Sequence, residues 1–503
     1  MKEKAILLLL PNQLFKSHDN IENLDHIYLL KHSKFFTDLD YHKNKLNYHY
    51  ATMSAYVDEM KKEYKIEIIE KLTEMKLSKS DKLYIYDITD FEIEKQIKAY
   101  CKKHRIELEI LDSPMFLLTR DDLQEYIDSM KKQKKNPYFN HSFYIYVRNK
   151  LDILMVTKNK PIGNSYSFDT ENRLPFKKDY KESKLKIYKN KYITSATKIV
   201  NQKYKNNPGE ITVFIPVTRK ECMKHFTSFL SKKLKNFGAY EDAFTNDVLI
   251  GYHSCISAML NIGLLDVKEV VEKTIQYYKK HKTPIQSVEG FLRQIISWRE
   301  YTRMLYLYEH VTFNRMNFFN HKRKINKNWY EGLTNMVPVD NVIKKVNKLS
   351  YAHHIERLMV MSNFALLTEI HPKEIYIWFL SFISIDAYEW VMEPNVYGMG
   401  IHSVSTLMMN RPYFSSSNYL YKMNSNLKKD EENSENKGYV KLGKENYKWS
   451  DIWDALYYNF INNNKTYLKK IYSTAASVAH LNKKPVGELN QMIKLAKLYM
   501  RTY

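Results

Sequence analysis

The sequence predicts an amino-terminal α/β domain built on a parallel sheet, a long linker, and a large all-α domain. Three observations predict it. Over residues 1–127, apolar runs of strand length alternate with helically spaced stretches, the pattern of βαβ units. Over 128–225 the chain turns basic, polar and proline-containing, as in "KKQKKNPYFN", "NKPIGNSYSFDTENRLPFKKD" and "NNPGE", which reads as a connection. Over 226–503 nearly every segment carries apolar residues at helical period.

The elements follow in order. "AILLLL" is a continuous apolar run, as a strand buried on both faces requires, and it stops at Pro11 of "PNQL". "HIYLLKH", "KIEIIE", "KLYIYDI" and "IELEILD" read as further strands, with helices over "NYHYATMSAYVDEMKKEY" and "DFEIEKQIKAYCKKH" between them. The arrangement is Rossmann-like, yet it holds neither GxGxxG nor GxxxxGK[ST], which excludes the usual dinucleotide and Walker phosphate loops. Further on, "RKECMKHFTSFLSKKLKNF", "HSCISAMLNIGLL", "VKEVVEKTIQYYKKH", "VEGFLRQIISWREYTRMLYLY" and "YAHHIERLMVMSNFALL" have helical spacing. The charged stretch 426–446 is low in apolar residues and is expected to be an exposed loop.

Composition narrows the function. The chain has 503 residues, enough for two or three domains, and a net charge of +23. That surplus fits a polyanionic partner, nucleic acid before an anionic membrane, although many of the lysines are scattered. The 3 cysteines form no CxxC pair, so a disulfide framework is not expected and a reducing interior is. The apolar run near the start is too short for a membrane span and lacks a signal-peptide cleavage pattern. A soluble, intracellular (cytoplasmic) protein is expected, with no membrane partner.

Three concentrations of residues carry chemistry. In "YAHHIERLMVMSNFALL", His353 and His354 precede Arg357 by one turn, a grouping suited to an anionic or oxygen-rich ligand. A metal is not expected there, because neighbours on a helix point apart and no HExxH surrounds them. In "SVEGFLRQIISWREY", Glu289 and Arg293 are i,i+4 neighbours, as are Gln294 and Trp298, and Arg299 follows. That face suits a flat ligand or a stacked base as well as it suits a core. In "DAYEWVMEPNVYGMG", Asp386 and Asn395 follow an aromatic run and have the chemistry to hydrogen-bond a ring edge.

Taken with "LLLPNQL", "SFDTENRLPF", "NFGAYEDAF" and "RPYFSSSNYLYKM", these stretches resemble the photolyase–cryptochrome superfamily. The resemblance is closest to the photolyase-related branch of prokaryotic (6-4) photolyases, the iron–sulfur bacterial cryptochromes and photolyases, and it covers nearly the whole chain. It implies that the all-α domain binds FAD and that the partner is UV-damaged DNA, met by a monomer. His353 and His354 then face the lesion, one of them as proton donor. His253, Ser254, Ser257, Glu289, Arg293, Arg299, Arg357, Asp386, Tyr388 and Asn395 match cofactor-binding positions. Trp378 matches the flavin-proximal electron donor, followed here by Phe379, with Trp329 and Tyr330 as outer carriers. Tyr413, Asp169, Asp242 and Trp298 match lesion or DNA positions, where an acid facing phosphate would repel it unless a divalent cation intervenes, and Asp169 and Asp242 suit local caps equally well. Gln13, His42 and Lys45 are the candidate contacts of a ribityllumazine antenna. The sequence departs from the branch at its iron–sulfur cluster. A [4Fe–4S] cluster takes four cysteine thiolates, and none of the 3 cysteines lies beyond Cys255. No cluster is expected, and Trp449, Trp453 and Tyr457 are expected to close that corner by packing. The function implied is light-driven repair of (6-4) photoproducts. A blue-light photoreceptor or a photolyase for cyclobutane dimers is the alternative.

Overall fold

The computed structural model of the protein describes residues 4–401, 408, 412–424, 426–427 and 438–503. Its amino-terminal sheet has five parallel strands, β1 (Ala5–Leu9), β2 (Leu24–Leu30), β3 (Lys65–Ile69), β4 (Lys82–Tyr86) and β5 (Glu107–Leu111), in the order β3-β2-β1-β4-β5. The apolar run becomes the central strand because every residue of β1 is buried. Leu7 pairs with Ile27 on one side and Tyr84 on the other. Helices α1 (Lys43–Met60) and α2 (Phe91–His104) make the crossovers. Asp90 caps α2 by accepting from the backbone N–H groups of Glu92 and Ile93.

Helix α3 (Arg120–Lys132) leads into the interval read from sequence as a connection. That interval carries two further helices, α4 (Asn140–Leu151) and α5 (Lys191–Lys203). Both bury an apolar stripe, Phe143, Tyr144 and Val147 on α4 and Ile193, Ala196 and Val200 on α5, so this stretch contributes to the core. From α6 (Arg219–Lys232) onward, through α7 (Leu234–Tyr240), α8 (Ser257–Leu260) and α9 (Val267–His281), the described residues are mostly helical. The expected loop 426–446 lies partly outside the described residues. Its described end forms a hairpin, Tyr439–Leu442 with Glu445–Lys448. Trp449 and Trp453 are fully buried on the helix that follows, and Trp453 stacks on Phe364 at 5.8 Å.

Close packing of two helices sets up the site. A Cβ on Gly238 of α7 would lie 2.6 Å from the backbone nitrogen of Ser287 on α10 (Ile285–Arg293), so only glycine lets the two approach this far. That approach brings Glu241, just beyond α7, to 3.6 Å from Arg293 at the end of α10. Around the same region the helices widen into π turns at Gln294–Trp298, Glu356–Ser362, Phe379–Ile383 and Pro394–Ile401. Such turns redirect side chains and occur often at functional sites.

Candidate functional site: a histidine–carboxylate cluster beside a buried ion pair

The two adjacent histidines do not share a helix. Ser350 ends the preceding helix in the left-handed region at φ 48°, and helical structure resumes only at His354. His353 therefore acts as a cap. Its Nδ1 accepts from the Ile355 N–H at 3.1 Å, and its own N–H donates to Glu356 Oε2 at 2.7 Å. Off the helix, its ring stacks on His354 with centroids 4.4 Å apart instead of pointing away from it. His253, from the loop after α7, meets His353 edge-on at 4.4 Å and His354 at 5.4 Å.

The three imidazoles are in different electrostatic settings. Burial, with His253 and His354 alongside, holds His353 well below the ordinary histidine pKa. Burial and the nearby His354 push His253 down to about 3. His354 is 45% exposed, and its Nε2 donates to Asp242 Oδ1 at 2.9 Å. Desolvation opposes its charge, but the Asp242 hydrogen bond and carboxylate outweigh that and raise its pKa. Arg173 lies 3.6 Å from the other Asp242 oxygen.

Arg293 links this cluster to the linker. Its guanidinium sits 3.1 Å from Glu289, 2.9 Å from Asp169 and 3.6 Å from Glu241. The Glu289–Arg293 pair is buried: Glu289 is 1% exposed, and it also accepts from Tyr144 Oη and the Phe168 N–H. Glu241, which the sequence reading missed, is buried, and burial raises its pKa to about 7 against the pull of Arg293. Its Oε1 accepts from Gln294 Nε2 at 2.6 Å, while its Oε2 has no hydrogen-bond partner among the described residues. The available signal was the acid pair Glu241–Asp242 inside the otherwise apolar "NFGAYEDAF".

A second group lies around Asp386. Its carboxylate accepts from Ser257 Oγ at 2.5 Å and from Ser384 Oγ, and it pairs with Arg357 at 3.2 Å. Burial opposes its charge, but Arg357 and the two hydroxyls hold its pKa below the usual range. Asn261 joins this group to Arg299: it donates to the Asp386 carbonyl at 2.9 Å and accepts from Arg299. Arg299 also lies over the Trp390 ring at 5.2 Å, and burial lowers its pKa to about 10. Arg299 Nε and Tyr388 Oη are buried without a hydrogen-bond partner among the described residues. Asn395 donates to the Val391 carbonyl and is half-buried, as are Trp298 and Tyr413. The Ser254 carbonyl accepts from His225.

The remaining candidates fall in two places. Trp378 is buried and donates through Nε1 to the Trp329 carbonyl at 3.0 Å, with the two rings 5.9 Å apart. Tyr330 contacts Phe382, and Phe382 contacts Trp378. Gln13 lies at the carboxyl ends of β1 and β4, where its amide donates to the Tyr86 and Asp87 carbonyls at 3.3 and 3.4 Å. His42 and Lys45 are buried where α1 meets the helical region. His42 Nε2 lies 2.9 Å from the Val346 carbonyl. Lys45 donates to the Leu380 and Ala387 carbonyls and lies 5.3 Å from the Tyr388 ring centroid, and burial lowers its pKa to about 7. Lys45 thus borders the Asp386 group. Among the described residues no helix is long and apolar enough to cross a membrane.

Known proteins resemble this chain over different parts of its length. Residues 7–215 match the family described as deoxyribodipyrimidine photo-lyase-related protein. A (6-4) photolyase of Agrobacterium fabrum is 32% identical over 336 residues, 66% of this chain and 65% of that one. The chain thus matches just under two thirds of that relative's length. An uncharacterised protein of Acanthamoeba polyphaga mimivirus is 43% identical over 117 residues, 23% of this chain and 80% of its own. The fold aligns with a bacterial class III photolyase from Agrobacterium tumefaciens at TM-score 0.56, 13% identity, over 95% of this chain and 98% of that one. It aligns with an archaeal photolyase from Sulfolobus tokodaii, solved with two FAD molecules, at TM-score 0.52, 12% identity, over 99% and 100%. A Synechocystis cryptochrome aligns at TM-score 0.56, 14% identity, over 80% and 84%.

Proposed function

We propose that the chain is a member of the photolyase-related branch of the photolyase–cryptochrome superfamily and that it is a light-driven DNA-repair lyase for (6-4) photoproducts, a reading supported by the family match over residues 7–215 and by the 32% identity to a (6-4) photolyase. The observation that carries the reading is the His353–His354 stack with His354 hydrogen-bonded to Asp242 at 2.9 Å. Moving a hydroxyl between two joined pyrimidines needs a group that gives and retakes a proton near neutral pH. His354, partly open to solvent and paired with a carboxylate, is suited to that task, and the buried neutral His353 is suited to hydrogen-bond and orient the lesion.

FAD fits the second group of residues. Partnerless Arg299 Nε and Tyr388 Oη, with Asp386, Arg357 and Ser257 close by, offer hydrogen bonds to a polar aromatic group. Bound there, reduced FAD would supply a light-excited electron and take it back, so repair is redox-neutral. Ser254, Ser257, Arg357, Asp386, Tyr388 and Asn395 would hold the cofactor, His253 packs against His353 and His354 instead, and Arg299 would fix Asn261 and stack on Trp390. Trp378 and then Trp329 would pass electrons inward during photoreduction. Asp169 and Asp242 already face Arg293, Arg173 and His354, so a DNA phosphate would meet neutralised acids without a bridging cation. The missing thiolates support a cluster-free member, a reading that stoichiometric iron in the purified protein would overturn. The +23 charge supports DNA as the partner, reached by flipping the lesion into the pocket.

The test is blue-light illumination of photoreduced protein with an oligonucleotide bearing one (6-4) lesion. Return of the intact dipyrimidine supports the reading. Flavin photochemistry without repair of that lesion or of a cyclobutane dimer would make the protein a photoreceptor instead.

A further inference from the structure

We propose that His253, His353 and His354 form a binding site for a tetrahedral transition-metal ion, zinc first among them. One nitrogen from each ring lies within 4.8 Å of those of the other two. Tetrahedral zinc with bonds of about 2.0–2.1 Å needs ligand nitrogens only somewhat closer than that. The partly exposed His354 has the freedom to close the gap and leaves the ion a path from solvent.

The outer contacts are those that prepare imidazoles for metal. His253 Nε2 donates to the Glu241 carbonyl at 2.9 Å, and His354 Nε2 donates to Asp242 at 2.9 Å. Each of these bonds fixes the tautomer whose lone pair sits on Nδ1 and makes that nitrogen more basic. The third ring supplies an independent sign of a ligand: His353 is 3% exposed, and its Nε2 has no hydrogen bond of good geometry among the described residues. Metal on Nε2 would shift the proton of that ring to Nδ1 and give up the 3.1 Å bond from the Ile355 N–H, one neutral hydrogen bond exchanged for a metal bond. Three histidines leave a fourth position open for water, the arrangement of an accessible rather than a structural zinc site. The ion needs neutral imidazoles, so a His354 that is protonated beforehand releases its proton on binding.

A consequence rests on the proposed repair reading. Zinc would occupy the imidazoles that the lesion requires, so zinc and (6-4) repair would be mutually exclusive.

Cobalt(II) titration of chelator-treated, FAD-loaded protein tests the site without reference to repair. The expected result is one cobalt per chain, a visible ligand-field spectrum of tetrahedral type, and displacement by zinc. His253→Gln and His354→Gln should each abolish that spectrum, and Asp242→Asn should weaken affinity about 10–100-fold, with flavin content and melting temperature as folding controls. Absence of stoichiometric cobalt, or a spectrum unchanged in both histidine variants, overturns the site. In a second arm, zinc should suppress (6-4) repair and a chelator should restore it. Metal-free wild type without repair would sink the repair reading and leave the cobalt result to judge the site. Repair undiminished by bound zinc would overturn the mutual exclusion.

Discussion

Replacing Arg293 by methionine keeps an apolar stem of similar length on α10 and removes one cation from among three acids. Two of these are almost inaccessible, Glu289 with a side chain 1% exposed and Glu241 at 5%, while Asp169 is 48% exposed and contributes little. Breaking a buried pair by removing one partner costs about 3–5 kcal/mol. The lower end applies here, because Glu289 keeps Tyr144 Oη at 2.6 Å and Glu241 keeps Gln294 at 2.6 Å. At about 2–4 °C per kcal/mol for a large domain, a loss of roughly 3 kcal/mol lowers Tm by about 6–12 °C. The loss also depends on pH. Glu241 already titrates at about 7 through burial, and losing Arg293 removes the main attraction holding it down. Between its unfolded and folded pKa values the folded chain binds more protons than the unfolded one, so stability falls as pH rises. Arg293→Met should therefore be milder at pH 5, with Glu241 protonated, than at pH 8, and Glu241→Gln on top of it should recover part of the loss at pH 8. Thermal unfolding followed by circular dichroism, with flavin content measured in parallel, is the assay. A Tm within about 2 °C of wild type at both pH values would show that Arg293 does not hold the two buried carboxylates in the folded chain.

Three further outcomes follow from the same geometry. Trp378→Phe should slow flavin photoreduction strongly with FAD retained, because Trp378 is the ring that connects to Trp329 at 5.9 Å; unchanged kinetics would assign the electron to another aromatic. Lys45, buried and titrating at about 7 against an unperturbed 10.5, makes the unfolded chain bind more protons between those values, so wild-type stability gains about 1.4 kcal/mol per pH unit from this group there. Lys45→Met should lack that slope, and parallel stability curves for the two proteins would contradict it. DNA affinity should fall steeply on a plot of log K against log salt, as counterion release from phosphates requires, and a flat plot would mean that the +23 charge is not a DNA footprint.

The sheet was legible because its code is local: "AILLLL" is buried on both faces, β2 and β4 pair directly with it, and β3 and β5 pair outside those two. Helical period likewise located α6 and α10. The two helices within 128–225 were hidden because basic, proline-containing stretches flank them and each packs through only a narrow apolar stripe. At the site, residue types were readable but their partners were not. That His353 leaves the helix depends on the left-handed turn at Ser350, which no spacing rule announces. That Glu241 meets Arg293, and that Lys45 reaches the Ala387 carbonyl, depends on contacts between segments far apart in sequence. Periodicity carries no information about such contacts.

The most direct test of the account is (6-4) repair by single histidine variants under blue light, read as intact dipyrimidine per photon absorbed by reduced, FAD-loaded protein. General acid catalysis is worth about 10²–10⁴-fold, so His354→Ala should lower repair by a factor in that range, and His353→Ala, which removes the ring that orients the lesion, should lower it as well, while FAD binding and photoreduction stay near wild type. Wild-type repair by both variants would contradict the account and move the photoreceptor and cyclobutane-dimer readings ahead of it.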